Sequence, residues 1–370
     1  MNSLDIERGI ASVVATAESA VTGEDLFRRA SERLRKVVPF DGSAWFAVDP
    51  STLLATVPAR VENVDPRQCV NFWTHEMSGE DVLLFRDLAR SESGMGTLYR
   101  ATGSHPERSA RHREFLVPQG YDDELRAVFR AGSLTWGVVN LYRERGRVPF
   151  STRDAEIVRQ VSSPIAVALR GLATLGAVAP GDSDSPGTAL YDAAGKLLSF
   201  DDQAHHWLTE IAGADWRGAP PALSPVLAAV ARAPMIAAGR ERGSASTRIQ
   251  VGSGRWIYVH ASSLRAADDS PGPVAVTVGP AKSAQIAPII VEAYGLTRRE
   301  QQITQVAARG MSNHQIAGAL HLSPHTVRDH LKAVFGKLDV SSRGELAAKL
   351  FAEHYLPTLH ATPADSHDEF

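Results

Sequence analysis

The sequence predicts a multidomain chain that is α/β over most of its length and all-α near its C-terminus. Strand-like runs flank glycine-containing turns at residues 131–133 and 252–254, which predicts antiparallel hairpins in two separate regions. The run 180–187 is rich in Pro, Gly, Ser and Asp and predicts a linker between those regions. Closely spaced helix-start signals between residues 296 and 351 predict a compact bundle of short helices.

Length and composition limit the class of protein. A chain of 370 residues is long enough for two or three domains, and 44% hydrophobic with 22% charged residues is ordinary for a soluble protein. The single cysteine, Cys69, excludes an intrachain disulfide and suits a reducing compartment. The first residues lack a basic and apolar signal, and no apolar run reaches membrane-spanning length, so we expect a cytoplasmic protein without a membrane partner.

The first region, 1–175, begins with a predicted helix over 24–38 and a strand over 44–48. Two paired strands follow at 125–130 and 134–142. A long helix is then predicted after Ser151, because apolar residues recur at four-residue spacing: Ile157, Val161, Ile165 and Leu169. This order of elements resembles a GAF domain, which implies either a pocket for a small ligand or a dimerisation module.

Six side chains are candidates for lining such a pocket: Trp45, Cys69, Phe72, Trp73, His75 and Trp136. The alternative is that these aromatic residues are ordinary core packing. Cys69 and His75 lack the further ligands that a metal or haem site needs, so we expect no metal and no cofactor. A small-molecule effector in this GAF-like domain is left open.

After the linker, assigned to 176–188, a second α/β region is predicted over 189–281. Two strands around Ala194-Gly195 lead into a helix, and three antiparallel strands end the region. This order resembles a PAS domain. The segment contains no cysteine for flavin chemistry, and His205-His206 is interpreted as a solvated helix face rather than a metal site.

A connecting helix is predicted over 282–294, with Ile286, Ile289, Ile290 and Tyr294 on one side. This helix either couples the domains, pairs with the same helix of a second copy in a dimer, or docks on the preceding sheet.

The C-terminal helix starts are read from capping patterns. Ser or Thr is followed three residues later by Glu or Gln at three places, and a serine precedes proline at a fourth: Thr297/Glu300, Ser312/Gln315, Ser342/Glu345 and Ser323-Pro324. The helix after Pro324 has one apolar stripe: Val327, Leu331, Val334, Phe335 and Leu338.

The other side of that helix carries Arg328, Asp329 and Lys332. Arginine and lysine can reach guanine N7 and O6 in a major groove, and aspartate can accept from cytosine N4. His325 and Thr326 lie in the first turn, where free backbone N–H groups can meet phosphate.

Residues 295–356 resemble the LuxR-type DNA-binding domain. The resemblance rests on six stretches: Leu-Thr-Arg-Arg-Glu at 296–300, Ala-Arg-Gly-Met-Ser-Asn at 308–313, Ile-Ala at 316–317, Leu-Ser-Pro-His-Thr-Val-Arg-Asp-His at 322–330, Lys-Leu at 337–338 and Val-Ser-Ser-Arg-Gly-Glu-Leu at 340–346. It implies a helix-turn-helix over about 313–332, beginning at Asn313, and a fourth helix that often helps two copies associate. The tail, 357–370, is expected to be disordered.

The resemblance also implies roles for single residues. Arg328, Asp329 and Lys332 would face bases, whereas Thr326, His330 and Lys337 would lie near phosphates or support the helix. Asp329 departs from the family, which often has an apolar or neutral side chain there, so its role depends on pairing with Arg328 or a cytosine. His330 has the alternative of packing at the shoulder of the helix.

Together these features predict a sequence-specific transcriptional regulator whose N-terminal domains modulate a C-terminal helix-turn-helix. Between residues 283 and 356 there are eight Lys or Arg and six Asp or Glu, a net +2, so we expect a homodimer on double-stranded DNA, with RNA polymerase as a further candidate partner. A phosphate loop, a nucleophile elbow, a zinc motif and a dinucleotide glycine fingerprint do not occur, which disfavours an ATP-driven regulator or an enzyme. The remaining alternative is a helix-turn-helix that binds only protein.

Overall fold

The computed structural model describes residues 3–78, 80–174, 185–192, 194–253, 255–282, 285–286, 289, 292–308 and 310–346. Much of the predicted linker at 176–188, part of the predicted connecting helix at 282–294 and the whole predicted tail at 357–370 lie outside these residues. Two five-stranded antiparallel sheets and a C-terminal helical bundle make up the described part of the chain.

The first domain contains one sheet with helices on both sides. Its strands are β1 (Gly42–Ala47), β2 (Arg60–Glu62), β3 (Met95–Thr97), β4 (Tyr121–Ala131) and β5 (Leu134–Glu144), in the order β2-β1-β5-β4-β3. Its helices are α1 (Ser3–Ser19), α2 (Gly23–Leu34), α3 (Cys69–Ser78), α4 (Phe85–Arg90), α5 (Leu98–Ala101) and α6 (Thr152–Thr174). Short helical turns lie at Pro66–Gln68, Pro106–Arg108, His112–Leu116 and Val117–Gln119.

The strand alternation divides this domain into two apolar clusters. Trp45 and Ala47 of β1 pack with α1, α2 and α6, whereas Ala44 and Phe46 face α3 and the short helical turns. The predicted apolar side of α6 is buried as expected, with all four of its residues at most 5% exposed: Ile157, Val161, Ile165 and Leu169. Helix α2 ends at Leu34, earlier than the predicted Val38, because the chain continues in tighter turns: the N–H groups of Lys36 and Val37 each donate to a carbonyl three residues back.

The second domain has the same strand order as the first, counted within each sheet. Its strands are β6 (Gly187–Tyr191), β7 (Leu197–Phe200), β8 (Ser246–Gln250), β9 (Trp256–Arg265) and β10 (Pro271–Pro280), in the order β7-β6-β10-β9-β8. Between β7 and β8 lie α7 (Asp202–Ala212), α8 (Ser224–Ala237) and two short turns, Trp216–Gly218 and Pro220–Leu223. The predicted strands of this region are therefore confirmed, and α8 is an element that the sequence pattern did not reveal.

The two sheets dock against one another through buried polar contacts as well as apolar ones. Arg248 of β8 donates to the carboxylate of Asp49, which is fully buried just after β1. The Thr247 hydroxyl donates to the Ala55 carbonyl at 2.6 Å. Since the apolar residues of the second domain join the cluster beneath α3, the first two domains share one core.

The C-terminal bundle contains α9 (Arg298–Ala308), α10 (Asn313–Leu320) and α11 (Pro324–Leu338). A further helix begins at Arg343 and is described as far as Leu346. These helices enclose a separate apolar cluster built around Ile303, Ile316, Val327 and Val334. No helix among the described residues is long and apolar enough to cross a membrane.

Candidate nucleic-acid interface

Helices α10 and α11 are joined by a three-residue turn, His321 to Ser323. His321 ends α10 in the left-handed conformation, with φ 52° and ψ 50°, which turns the chain sharply. Ser323 then begins α11: its hydroxyl accepts from the Thr326 N–H at 3.0 Å, and Pro324 occupies the first turn. The predicted helix-turn-helix geometry is therefore present.

The other helix starts follow the predicted capping pattern with one exception. Both halves of the capping box are present at Ser312 and Gln315, and Thr297 with Glu300 form another. The box predicted at Ser342 is only half formed. Its hydroxyl accepts from the Glu345 N–H at 3.1 Å, but the Glu345 carboxylate accepts from Ser341 instead.

The apolar stripe of α11 is buried as the spacing predicts. Four of its five residues are at most 4% exposed: Val327, Leu331, Val334 and Leu338. Phe335 is half-buried at the edge of the cluster. Because this stripe fixes the rotation of the helix, the opposite side must face solvent.

That solvent-facing side carries Arg328, Asp329 and Lys332, all exposed. Neither Arg328 nor Lys332 makes a hydrogen bond or ion pair with any described residue. Two cations one turn apart are thus held on a rigid helix with their donors free. This arrangement suits contacts to base edges or phosphates in a DNA groove.

Asp329 pairs with His325 and not with Arg328. Its Oδ2 lies 3.0 Å from His325 Nδ1, with the two side chains 64% and 80% exposed. The pair spans one turn of α11, so the carboxylate turns towards the first turn of the helix. Of the two pairings expected from the sequence, the one with Arg328 is not observed.

Two of the candidate residues are engaged inside the bundle. Lys337 Nζ lies 2.6 Å from Glu300 Oε2 and 3.1 Å from the Gly295 carbonyl oxygen, so it ties α11 to α9. Burial raises the pKa of Glu300, but hydrogen bonds from Lys337 and Thr297 outweigh it and lower that pKa below its ordinary value. Asn313 Oδ1 accepts from the Arg343 guanidinium.

The remaining two candidates lie at the edge of the exposed face. The Thr326 hydroxyl is 2.8 Å from that of Ser323, within the first turn, and His330 is half-buried. Two arginines that sequence reasoning missed hold the motif together. Arg299 donates to the Leu320 carbonyl at 2.6 Å, and Arg343 donates to the Met311 carbonyl. Both contacts span more than twenty residues, so no local pattern could have indicated them.

The six residues predicted for a ligand pocket are divided between two faces of the first sheet. Trp45 and Trp136 are buried beneath α2 and α6, where Trp45 packs against Phe129 at 5.9 Å between ring centroids. The other four belong to α3 on the opposite face: Cys69, Phe72, Trp73 and His75. A pocket lined by all six therefore does not form.

His205 and His206 lie on α7, where His205 Nδ1 accepts from Trp216 Nε1 at 3.1 Å. Within the described ranges, no group of three or more His, Cys, Asp or Glu side chains is arranged to hold a metal ion.

Residues 295–350 match the family described as bacterial regulatory proteins, luxR family. This segment is a LuxR-family helix-turn-helix domain. Over 62 residues the chain is 44% identical to the uncharacterized transcriptional regulatory protein YhcZ of Bacillus subtilis, covering 17% of this chain and 28% of that protein. Over 56 residues it is 45% identical to the transcriptional regulatory protein UhpA of Escherichia coli, covering 15% and 29%.

These similarities concern the LuxR-family domain alone, since the chain spans about three tenths of the length of the curated relatives it matches. A solved structure of Escherichia coli SdiA aligns with 94% of this chain and 97% of its own, at 10% identity and a TM-score of 0.33. A score of that size defines no common arrangement of the domains.

Proposed function

We propose that the chain is a sequence-specific DNA-binding transcriptional regulator whose first two domains modulate the LuxR-family domain. The observation that carries the proposal is the exposed pair Arg328 and Lys332, presented by a helix whose opposite stripe is buried. In this proposal both side chains face bases, while Thr326 and His330 lie beside phosphates. Lys337 and Asn313 act by holding the helices in place.

The segment before α9 supports the coupling of the domains. Ile286, Ile289 and Ala293 are at most 6% exposed and join the cluster beneath α2 and α6 of the first domain. Tyr294, the next residue, packs against both that cluster and the core of the helix-turn-helix bundle. A change in the first domain would therefore reach the DNA-binding helices through a short continuous path of packed side chains.

The GAF-like and PAS-like identities of the first two domains belong to this proposal. They are supported by a five-stranded antiparallel sheet in each domain, by the long closing helix α6, and by the order of two strands, helices and three strands in the second. A homodimer belongs to it as well, because a domain with a small net positive charge neutralises few phosphates alone. RNA polymerase is a further partner that the proposal leaves to experiment.

The test is a titration of the full-length protein against its preferred site, selected by sequencing DNA fragments that the tagged protein recovers. Lys332→Ala should weaken binding by ~1–3 kcal/mol and relax the preference at one base pair. Lys196→Ala, which removes an equally exposed lysine from the second domain, should leave both unchanged. Failure to enrich any sequence would instead favour a helix-turn-helix that binds only protein.

A further inference from the structure

A groove of about 590 Å³ runs between α1 and the C-terminal half of α6 and is open to solvent along one side. Its lining is mostly apolar: Val14, Ala17, Pro164, Val167, Ala168 and Leu172. Among the described residues that line it, only Glu18 is charged. The other sides of the two helices pack on the first domain, where Val13 and Ile165 are fully buried. The groove is therefore an apolar surface on the outside of that domain.

The outer side of α6 changes in character at Ser163. Among the side chains of α6 that the structure describes, the exposed ones before Ser163 are all polar: Thr152, Arg153, Glu156, Arg159 and Gln160. After it, the exposed residues are Val167, at 47%, and Gly171. A helix whose outer side meets only water carries polar residues on that side. The second half of α6 is thus expected to be covered by another protein surface.

Gly171 leaves room for a neighbouring helix. It lies in the interior of α6 with φ outside the left-handed region, and a Cβ there would meet no heavy atom of the described chain within 4 Å. Glycine destabilises a helix interior relative to alanine, and neither the backbone nor the described packing requires it here. The distance between packed helices depends on the side chains at their contact, so Ala168 and Gly171 allow a close approach.

The same surface has both a projection and a recess. Val167 stands out beside the groove, and the small residues Ala17 and Gly171 leave space next to it. A twofold interface joins the same patch of both copies, so every projection must find its recess within that patch. The outer surface of α1 and α6, called the α1–α6 surface from here on, meets this condition.

The charges of the α1–α6 surface also permit contact between two copies. Exposed residues of both signs lie on each helix: Glu7 and Arg8 on α1, and Glu156 and Arg159 on α6. The last two pair with one another at 2.6 Å. A surface with charges of a single sign would repel its own copy, whereas this one carries compensating charges.

The area of the two helices is sufficient for a dimer. Helix α1 has 17 residues and α6 has 23. At about 1.5 Å per residue and a diameter of about 10 Å for each helix, their outer sides cover roughly 500 Å² per copy. Two such surfaces bury roughly 1,000 Å², which is about the size at which specific interfaces begin. A peptide lying in the groove alone would leave most of this area uncovered.

We propose that two copies of the chain associate through the α1–α6 surface, with Val167 of each copy seated in the groove of the other. This inference rests on the homodimer of the proposed function and assigns a surface to it. Arg170, beside Gly171, lies against the start of the LuxR-family domain, since its Nη1 is 3.0 Å from the position that a Cβ on Gly295 would occupy. A dimer formed here places a contact of each DNA-binding domain next to the interface.

The experiment measures molar mass against protein concentration by sedimentation equilibrium, with the full-length protein and no DNA. Wild type should be a dimer. Val167→Glu should raise the dissociation constant at least roughly tenfold, because it places an unpaired carboxylate in an apolar contact. Gly171→Leu should also weaken association, because its side chain occupies the groove. Val148→Glu is the matched control: Val148 is 80% exposed and lies outside the groove, so this variant should associate like wild type.

Contrary results separate the proposed surface from the rest of the proposed function. Wild-type protein that stays monomeric overturns the surface. If wild type dimerises and both Val167→Glu and Gly171→Leu associate equally well, the interface lies elsewhere and only the homodimer stands. Equal weakening by Val148→Glu would show an effect of charge and not of the groove. If Val167→Glu fails to fold, as judged by its circular dichroism, Gly171→Leu decides the question. A dimer that binds no DNA would contradict DNA recognition and leave this surface intact.

Discussion

Lys337 Nζ lies 2.6 Å from Glu300 Oε2, so a lysine near the end of α11 holds α11 and α9 together. The Glu300 side chain is 7% exposed and that of Lys337 is 36% exposed. The pair is thus sheltered enough to matter for the stability of the bundle.

Lys337→Met should lower the stability of the LuxR-family domain by ~1 kcal/mol, because the ion pair is lost while the aliphatic stem is kept. Hydrogen exchange of residues 298–338 in the full-length protein measures this. Lys332→Met is the matched control, since Lys332 is exposed and has no partner among the described residues, and its exchange should equal that of wild type. Equal exchange in both variants would show that the Glu300 contact contributes nothing.

The same pair predicts a pH dependence. The folded-state pKa of Glu300 is lowered, so its contribution is present above the ordinary value of 4.5 and is lost as pH falls through the folded value. The difference in exchange between wild type and Lys337→Met should therefore shrink on acidification. A difference that grew instead would contradict the lowered pKa.

Asp329→Asn should strengthen DNA binding several-fold, by ~1 kcal/mol at low salt, because a carboxylate on the exposed face is repelled by phosphates. Its pair with His325 is highly exposed, so stability should change by less than about 0.5 kcal/mol. The measurement is a salt-dependent titration, with Asp202→Asn as a control that makes the same change of charge at an exposed position in α7. If Asp329→Asn instead weakens binding only at sites with a cytosine at one position, Asp329 contacts that base.

His321→Gly should stabilise the bundle by up to ~1 kcal/mol, because His321 holds φ at 52°, where a side chain is strained and glycine is not. Thermal unfolding of the LuxR-family domain within the intact chain reports the change. Ala319→Gly, inside the exposed side of α10, should act in the opposite direction by a similar amount. If both variants destabilise the bundle, the His321 ring stabilises the turn by more than the backbone strain at φ 52° costs.

Periodicity and capping are sufficient to predict the helices of the helix-turn-helix. The apolar stripe of α11 and the caps at Ser312 and Ser323 are local features, and the structure has them where the spacing places them. The strands at the two hairpins were predicted for the same reason, since each alternates or is flanked by a glycine turn.

Contacts between distant parts of the chain could not be predicted in that way. Trp45 and Trp73 were assigned to one pocket because both are large and aromatic, but strand alternation and the course of α3 place them on opposite faces. Helix α8 was missed because it is apolar nearly all round, as buried helices are, and so has no one-sided stripe. For Lys337 the sequence leaves two roles open, a phosphate contact or support of the helix, because its partner, Glu300, is 37 residues away and no local pattern indicates it.

Arg248→Met should destabilise the docking of the two sheets by ~2–3 kcal/mol, because it leaves the buried Asp49 carboxylate without its guanidinium. Adding Asp49→Asn should recover part of the loss, and the double-mutant cycle measures the coupling. Arg159→Met, which breaks an exposed pair with Glu156 on α6, should change stability by less than about 0.5 kcal/mol. If the effects of the Arg248 and Asp49 substitutions are additive, the two side chains are not coupled, and their ion pair does not hold the two sheets together.

Glu292 lies in the segment that leads to α9. Burial first, and then the negative charge of Asp49, raise its pKa from 4.5 to about 7. For a carboxyl whose folded pKa is raised, the contribution to stability is fully present below pH 4.5 and is lost as pH rises through about 7. The contact between the first domain and the DNA-binding domain should thus loosen between these values.

Glu292→Gln should remove this dependence, because the amide stays neutral at every pH. Urea unfolding at pH 4 should give the same midpoint as wild type, whereas at pH 8 the midpoint should be higher. Glu24→Gln, at an exposed position of α2, is the control for the loss of a carboxylate charge that is not half-buried as that of Glu292 is. If the midpoint is raised equally at both pH values, Glu292 ionises as readily in the folded chain as in the unfolded one. The Glu292 carboxyl would then not titrate near neutral pH beside Asp49.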